Sequence, residues 1–329
     1  MKLGDLGEKK IIEEIIAKYI TSPSWEEHLE PLDDARDILP AGPRILFSID
    51  GYSLEKAKLP WRGMSDLGWC SIVGAISDHI AKTGIPRDVV ISLGLPRDTP
   101  VDDLIDFMNG VREAIQYYNL RLLGGDLNES REPWVSVAVI GYTSAKKPPG
   151  RCCGKPGDLV IVTGVYGAMG YVVLRGIEDA AKEKWVVEAT RRPKPYVETA
   201  VVLSSYYKSV HASMDVSDGL GYTLLELARR MGKGIVLTEK PRYHGELDKI
   251  CDSENCIWKH ILNGGEEYGV VAIVSPQHAE TIYEYLLKLE VPAQIIGRVE
   301  DKPPHLYLGD QVVDDLISVW DQFKEWDRR

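Results

Sequence analysis

Short apolar runs and segments with helical periodicity alternate along the first half of the chain. Trp69, Val73, Ile76 and Ile80 recur every three to four residues, which predicts a helix over 67–83 with one apolar stripe. A second stripe of this kind predicts a helix over 102–118. The apolar runs between them have strand length and predict strands at 44–49, 89–95, 120–126 and 135–142. We therefore expect one α/β domain over residues 1–144.

The second half repeats this mixture after a predicted linker. Lys146-Lys147-Pro148-Pro149-Gly150 contains two prolines and a glycine, which interrupt both helices and strands. Beyond it we predict strands at 159–164, 234–237 and 270–274, and helices after the glycine-rich segment 164–170 and at 197–210, 220–231 and 277–289. A second α/β domain is expected over residues 145–329. The pattern predicts a two-domain α/β protein.

Aspartates border these apolar runs in both halves. They are Asp33, Asp34, Asp50, Asp78, Asp126, Asp215 and Asp218. Carboxylates rarely lie beside buried strands without a partner, and no matching set of Lys or Arg occurs in the same segments. A hard divalent cation that carries a nucleotide phosphate would absorb this charge, with magnesium as the first candidate. We expect carboxylates from both halves to form one magnesium cage.

Each aspartate also has a purely structural interpretation. Asp33 could cap a turn, Asp50 could end a strand in an Asp-Gly hairpin, and Asp78 could be a solvated helix position. The segment DVSDG (215–219) could cap a helix through Ser217 or Asp218. Its glycine is in the wrong place for an EF-hand calcium loop. His79 is interpreted as structural, and the remaining histidines show no metal-ligand spacing.

Known phosphate-binding loops are absent from the sequence. Neither GxxxxGK[ST], nor the protein-kinase glycine loop, nor GxGxxG occurs. The segment Gly164-Val165-Tyr166-Gly167-Ala168-Met169-Gly170 is either a close-packed turn or a set of amides that an anion could reach. If phosphate binds, carboxylate-held metal ions must provide most of the contacts.

Composition narrows the class of protein. The net charge of −11 argues against a nucleic acid partner, which would require clustered Lys and Arg. No apolar stretch of membrane-spanning length and no secretion signal occurs, so we expect a cytoplasmic protein without a membrane partner. The 5 cysteines lack CxxC spacing, which argues against a zinc site. Cys251 and Cys256 could form a disulfide if the source is a hyperthermophile.

Taken together, the motifs resemble those of thiamine-monophosphate kinases, within the superfamily of aminoimidazole ribonucleotide synthetase and selenophosphate synthetase. The resemblance covers essentially the whole chain. The segments that carry it are LDDARDIL, LFSIDG, GWCSIVGAISDHIAKTGIP, LLGGDLN, RCCGKPGDLVIVTG, RRPKP, MDVSDGL and NGGEEYGV, in the family's order.

The resemblance implies a fold, a reaction and a set of site residues. It implies a two-domain architecture of mixed sheets in which the N-terminal sheets of two subunits pair as a homodimer. It implies magnesium-dependent transfer of the ATP γ-phosphoryl group to thiamine monophosphate, directly and in line. Metal-site positions are Asp34, Ser48, Ile49, Asp50, Asp78, Asp126, Asp215 and Asp218, of which Asp126, Asp215 and Asp218 are catalytic. Gly125, Asp126, Arg151 and Ser217 match nucleotide contacts, and Glu266, Trp320 and Phe323 match the substrate site.

Several positions depart from the family pattern. Ile49 replaces a threonine, so that any metal contact there uses the backbone, and Glu267 replaces the aspartate of Gly-Gly-Glu-Asp-Tyr. Lys56 and Lys58 stand near the place of a family histidine, and LDDARD lacks the preceding glycine. Another ATP-using member of the superfamily and a non-catalytic nucleotide or metal-binding protein stay open as alternatives. Selenophosphate synthetase is disfavoured because the first cysteine, Cys70, falls inside a predicted helix.

Overall fold

The computed structural model describes residues 1–318 and divides into two compact units. The first contains Met1–His79 and Ile85–Thr143. The second contains Ile80–Gly84 and the described chain from Ser144 onward. Each unit is built around its own mixed sheet.

The first unit contains a four-stranded sheet in the order β1-β4-β2-β3. Its strands are β1 (Arg44–Ser53), β2 (Ile85–Leu95), β3 (Arg121–Glu129) and β4 (Trp134–Thr143). β4 pairs antiparallel with β1 and β2, whereas β2 and β3 are parallel. The helices before residue 144 are α1 (Leu3–Leu6), α2 (Glu8–Glu14), a 3-10 turn (Ile16–Tyr19), α3 (Leu54–Ala57), α4 (Met64–Ala81) and α5 (Val101–Tyr117).

The two faces of this sheet differ in exposure. Along β4 the side chains of Val135, Val137 and Val139 alternate with less buried residues and are at most 1% exposed. On edge strand β1, the side chains that point to the other face of the sheet are apolar but exposed. Phe47 is 70% exposed and Ile49 is 67% exposed. One face therefore belongs to the core, and the other presents apolar side chains outward.

The second unit contains a seven-stranded sheet in the order β11-β10-β7-β9-β5-β8-β6. Its strands are β5 (Leu159–Thr163), β6 (Val210–Asp215), β7 (Gly234–Leu237), β8 (Val270–Val274), β9 (Ala293–Glu300), β10 (Leu306–Leu308) and β11 (Gln311–Val312). β7 and β10 are parallel and the other pairs are antiparallel. The helices are α6 (Ala168–Arg175), α7 (Ile177–Ala180), α8 (Lys184–Arg191), α9 (Glu198–Ser205), α10 (Leu220–Met231), α11 (Leu247–Ile250), α12 (Glu254–Leu262) and α13 (Pro276–Lys288), with a 3-10 turn at Asp314–Leu316. The mixed sheets in both units confirm the predicted fold class.

The periodic segments fold as predicted, whereas several other segments differ. β1 continues through Ser53, because residues beyond Asp50 keep pairing with β4. The helix predicted over 197–210 ends at Ser205, and Val210 begins β6, which pairs with β8. β9 was not predicted, although it lies between β5 and β7 in the sheet.

Within residues 1–318, no helix is both long enough and apolar enough to span a lipid bilayer.

Candidate active site

In the second unit, the end of β6 leads directly into the predicted acidic loop. Asp215 is the last residue of β6 and is 4% exposed. The Thr223 hydroxyl, one turn into α10, donates to the Asp215 carbonyl at 3.0 Å. Ser217 and Asp218 follow as half-buried residues. The strand and the helix thus fix the backbone on both sides of the loop.

A second loop, Gly264–Tyr268, is bound to this acidic loop by backbone hydrogen bonds. The Glu266 amide donates to the Ser217 carbonyl at 2.8 Å, and the Tyr268 amide donates to the Val216 carbonyl at 2.9 Å. A Cβ atom at Gly265 would overlap the Ser217 carbonyl oxygen, which explains the glycine there. The structure therefore brings together Ser217, Asp218 and Glu266, the residues predicted to make nucleotide, metal and substrate contacts, respectively.

The loop 264–268 has an unfavourable backbone conformation. Glu266 (φ 57°) and Tyr268 (φ 43°) both adopt left-handed conformations, which cost free energy for residues with a side chain. Between them, Glu267 Oε1 accepts hydrogen bonds from the amides of Gly167 (2.8 Å) and Met169 (3.2 Å). Glu267 therefore anchors the loop to the start of α6.

These contacts also decide between the two interpretations of the glycine segment 164–170. Its amides at Gly167 and Met169 are bonded to an internal carboxylate, so the segment is a close-packed turn. Burial raises the pKa of Glu267 well above its usual range, although the amides of Met169 and Gly167 oppose this shift. The second carboxyl oxygen, Oε2, is buried without a hydrogen-bond partner.

Neither Ser217 nor Asp218 occupies the N-cap position of α10. The N-cap residue of α10 is Gly219, with φ of 105° and no capping side chain. Ser217 and Asp218 lie before that position, because the positive φ at Gly219 turns the chain into the helix only after them. Arg151 is exposed, and the preceding residue, Gly150, accepts a hydrogen bond from the Ser213 amide at 2.8 Å. Arg151 thus lies beside the strand that ends at Asp215.

In the first unit, Ser48 and Asp50 lie on the same face of β1, two residues apart. Asp50 pairs with Val137 inside the strand, so the predicted Asp-Gly hairpin is wrong. The Ser48 hydroxyl oxygen is buried and has no hydrogen-bond partner. Ile49 points to the opposite, exposed face, which leaves the backbone as its means of contact.

Asp126 lies inside β3, opposite Ser92 of β2. Its carboxylate is exposed and accepts a hydrogen bond from Asn128 Nδ2 at 2.6 Å. The adjacent Gly125 is required by the neighbouring strand, since a Cβ atom there would overlap the Ile91 carbonyl oxygen. The close backbone approach observed at this glycine is therefore to β2.

Asp34 and Asp78 complete the carboxylates of the first unit. Asp34 is exposed in a loop that Arg36 holds against the chain by donating to the carbonyls of Thr21 (3.0 Å) and Leu123 (3.4 Å). Leu123 precedes the Gly124–Asp126 segment of β3. Asp78 is a half-buried position of α4. The adjacent His79 is 2% exposed, and burial lowers its pKa to about 4, as expected for a neutral structural side chain.

Within either unit, no three carboxylates of the described chain bring oxygen atoms within 4.8 Å of one another. A single cage formed by both halves stays a prediction. Trp320 and Phe323 lie outside the described residues.

Comparison with known proteins identifies the family. Residues 33–143 match the N-terminal domain of AIR synthase related proteins, and residues 155–307 match the C-terminal domain. The thiamine-monophosphate kinase of Pyrobaculum calidifontis is 31% identical over 224 residues, covering 68% of this chain and 72% of that protein. The enzyme of the same name from Nitrosopumilus maritimus is 32% identical over 235 residues, covering 70% and 73%. The chain belongs to the thiamine-monophosphate kinase family.

Solved structures of this family share the fold. A thiamine-monophosphate kinase of Stenotrophomonas maltophilia superposes with a TM-score of 0.78 at 22% identity, covering 92% of this chain and 96% of that one. AaThiL, complexed with AMPPCP and TMP, superposes with a TM-score of 0.71 at 26% identity, covering 98% and 99%. Hydrogenase maturation protein HypE in complex with ATP also shares the fold, with a TM-score of 0.73 at 16% identity.

Two parts of the site region could not be found from the sequence. The hydrogen bonds of Glu267 join residues 100 positions apart. The glycine-rich segment 164–170 was the one feature of the sequence that pointed to a close contact there. A buried ion-pair cluster at the start of β3, formed by Arg121, Glu27 and Asp88, had no signal in the periodicity. Both fix loops or strands that carry predicted site residues.

Proposed function

We propose that this chain transfers the γ-phosphoryl group of ATP to thiamine monophosphate and releases ADP and thiamine diphosphate. The observation that carries the proposal is its relationship to named thiamine-monophosphate kinases at about one-third identity over most of both chains. The related AaThiL binds AMPPCP and TMP together, a pair that corresponds to a donor analogue and an acceptor. In this chain the positions that match the family's acidic motifs keep their carboxylates.

The donor atoms at the proposed metal positions suit magnesium. Asp50, Asp126, Asp215 and Asp218 offer carboxylate oxygens, and Ser48 offers a buried hydroxyl oxygen that has no protein partner. Magnesium prefers hard oxygen ligands of this kind, and nitrogen or sulfur ligands are absent from the proposed set. When bound, magnesium would neutralise the negative charge of the donor and acceptor phosphates. We assign Asp34 and Asp78 to the same set, with Ile49 contributing only its backbone.

The remaining proposed roles follow from charge and position. Arg151 is an exposed guanidinium beside the strand that ends at Asp215, and its planar fork suits the phosphates of the donor. Gly125 and Ser217 are assigned to nucleotide contacts, and Glu266, Trp320 and Phe323 to the acceptor. The acceptor phosphate is already ionised near neutral pH. No strong general base is then required, and direct in-line transfer needs positioning and charge neutralisation.

We further propose that the protein is a cytoplasmic homodimer in which the open sheet faces of two first units pair. The exposed side chains of Ile45 (53%), Phe47 (70%) and Ile49 (67%) support this assignment. They form one stripe along β1, beside Ile140 and Ala138 of β4. A contiguous apolar patch of this kind usually marks a protein interface.

The activity is tested by incubating purified protein with ATP, magnesium and thiamine monophosphate. We expect ADP and thiamine diphosphate in equal amounts. Reactions without the acceptor or without magnesium serve as controls and should yield no thiamine diphosphate. Tight magnesium-ATP binding with no product would contradict the proposal and favour a different acceptor or a non-catalytic role.

A further inference from the structure

Cys251, Cys256 and His260 form a compact cluster in the second unit, and none of them is among the residues assigned to the kinase reaction. Cys251 ends α11, Cys256 lies in the first turn of α12, and His260 follows one turn later. The two cysteines are joined by a disulfide. His260 Nδ1 lies 3.6 Å from the sulfur of Cys251 and 3.8 Å from the sulfur of Cys256.

The spacing of the residues in the sequence does not indicate this cluster. The histidines show no metal-ligand spacing among themselves, but Cys256 and His260 are four residues apart and therefore share one face of α12. The cysteines lack CxxC spacing, so the sequence alone predicts no zinc site. Folding nevertheless brings ligand atoms of all three residues within 4.8 Å of one another. Among the described residues, no other group of three His, Cys, Asp or Glu side chains meets this distance.

The distances from the histidine nitrogen to the two sulfurs are those of a tetrahedral zinc site. Zinc binds thiolate sulfur at about 2.3 Å and imidazole nitrogen at about 2.0–2.1 Å, so a tetrahedral angle separates these ligands by about 3.5–3.6 Å. The observed distances of 3.6 Å and 3.8 Å are close to this separation. Once the disulfide is broken, the sulfurs need only move apart from each other to about 3.8 Å.

We propose that Cys251, Cys256 and His260 bind a zinc ion when the disulfide is reduced. A dithiol reductant would supply two electrons and two protons, converting the disulfide to two thiols while it becomes a disulfide itself. Zinc would then displace both thiol protons. Nδ1 of His260 now donates to the Cys256 carbonyl at 2.8 Å, so its proton would move to Nε2, which is buried and has no hydrogen-bond partner.

In either redox state the cluster would hold together the end of α11 and the first turns of α12. Three protein ligands would leave the fourth zinc position open to water. Both sulfurs belong to half-buried residues that a small dithiol can approach. Leu247 of α11 packs on Gly167, and the His260 carbonyl of α12 packs on Gly170. A disulfide under oxidising conditions, or zinc under reducing conditions, would keep both helices against the 164–170 turn.

The test uses full-length protein reduced with a dithiol that is then removed without air. Zinc binding is measured by competition with a chromophoric chelator, and cobalt serves as a probe whose absorption reports thiolate ligands. We expect one tight site per reduced chain and none in the oxidised chain. Cys251→Ser and Cys256→Ser should each weaken binding at least about a hundredfold, and His260→Gln at least about tenfold.

Cys152 and Cys153 provide the matched control. They are adjacent exposed thiols whose sulfurs lie 2.9 Å apart, and they do not belong to the proposed cluster. Cys152→Ser and Cys153→Ser should leave zinc affinity unchanged. The proposal is overturned if these variants abolish binding, if Cys251→Ser binds as tightly as the reduced parent, or if oxidation has no effect. The comparison of oxidised and reduced parent requires no substitution, so it remains decisive if a variant fails to fold.

Discussion

At the scale of single residues, two carboxylates of the candidate site occupy opposite environments. Asp126 is exposed and bonded to Asn128, so it can accept a cation without losing a contact that the fold requires. Glu267 has one oxygen bonded to two amides and the other buried without a partner. The first is therefore suited to ligand binding, and the second to holding the loop that carries Glu266.

Replacing Asp126 by asparagine should reduce turnover at least about a hundredfold, because one preorganised charge contact is typically worth that much. The exposed position predicts an unchanged unfolding midpoint. Steady-state kinetics and thermal unfolding of the variant check both points. Asp102→Asn, at an exposed position in the first turn of α5, is the control and should remain fully active. Near-normal turnover in the Asp126 variant would show that its charge is not used.

Replacing Glu267 by glutamine should make stability less dependent on pH. The raised pKa means that folded Glu267 retains a proton that the unfolded chain releases above its usual pKa of 4.5. Its contribution is therefore fully present at low pH and is lost as the pH rises towards the folded-state value. Each pH unit in that window costs about 1.4 kcal/mol. Glutamine keeps the acceptor for the Gly167 and Met169 amides and does not titrate.

We thus expect the unfolding free energy of Glu267→Gln to exceed that of the parent at pH 8 by more than at pH 5, as measured in denaturant. Glu267→Ala, which removes the acceptor, should be destabilised at both pH values. A parent and glutamine variant that respond identically to pH would refute the assignment of a buried, proton-retaining carboxyl.

At the scale of secondary-structure elements, the position of β3 depends on an ion-pair cluster. Arg121, the first residue of β3, contacts Glu27 at 2.7 Å and Asp88 at 2.5 Å, and both carboxylate side chains are fully buried. Burial alone would raise the pKa of Glu27, but hydrogen bonds from Ser24 and Arg121 lower it overall. The same strand carries Gly125 and Asp126. The position of β3 therefore depends on charges at the start of this strand.

Arg121→Met should destabilise the protein by about 3–5 kcal/mol, because it leaves two buried carboxylates without a counter-charge. A carboxylate with a lowered pKa stabilises the fold above its usual pKa and loses this contribution as the pH falls. The deficit of the variant should therefore shrink as the pH falls below 4.5, the usual pKa of Glu27. Denaturant unfolding at several pH values measures this, with the exposed Arg131→Met as control. An equal deficit at every pH would contradict the electrostatic explanation.

The elements that could be predicted are those whose signal is local. Helix α4 has Val73, Ile76 and Ile80 fully buried, as its periodicity required, and the apolar runs at 89–95 and 270–274 became strands. β6 was assigned in part to a helix because its pairing with β8 is decided by residues far away in sequence. The partners of Arg121 and Glu267 are likewise 94 and 100 positions distant. For the candidate site, the sequence motifs predicted the acidic loop. The packing of the loop 264–268 against it could be seen only in the structure.

At the scale of the whole molecule, the open face of the first unit predicts assembly. Phe47, at the centre of the apolar stripe Ile45, Phe47 and Ile49 on β1, is 70% exposed. Apolar surface of this kind is unfavourable in water, so we expect another protein surface to cover it. We expect the parent to have twice the mass of its 36.8 kDa chain in size-exclusion chromatography with light scattering.

Phe47→Glu should convert this dimer to a monomer, because each of two paired sheets would bury an uncompensated carboxylate. Val201→Glu, on α9 of the second unit, is the matched control: Val201 is 48% exposed, lies outside the stripe, and should leave the mass unchanged. A monomeric parent, or a dimeric Phe47→Glu variant, would refute sheet pairing. Ile49 belongs to the stripe, whereas Ser48 and Asp50 point to the opposite face of β1. Loss of the dimer should therefore leave these two proposed metal ligands in place, and magnesium-ATP binding should persist in a folded monomer.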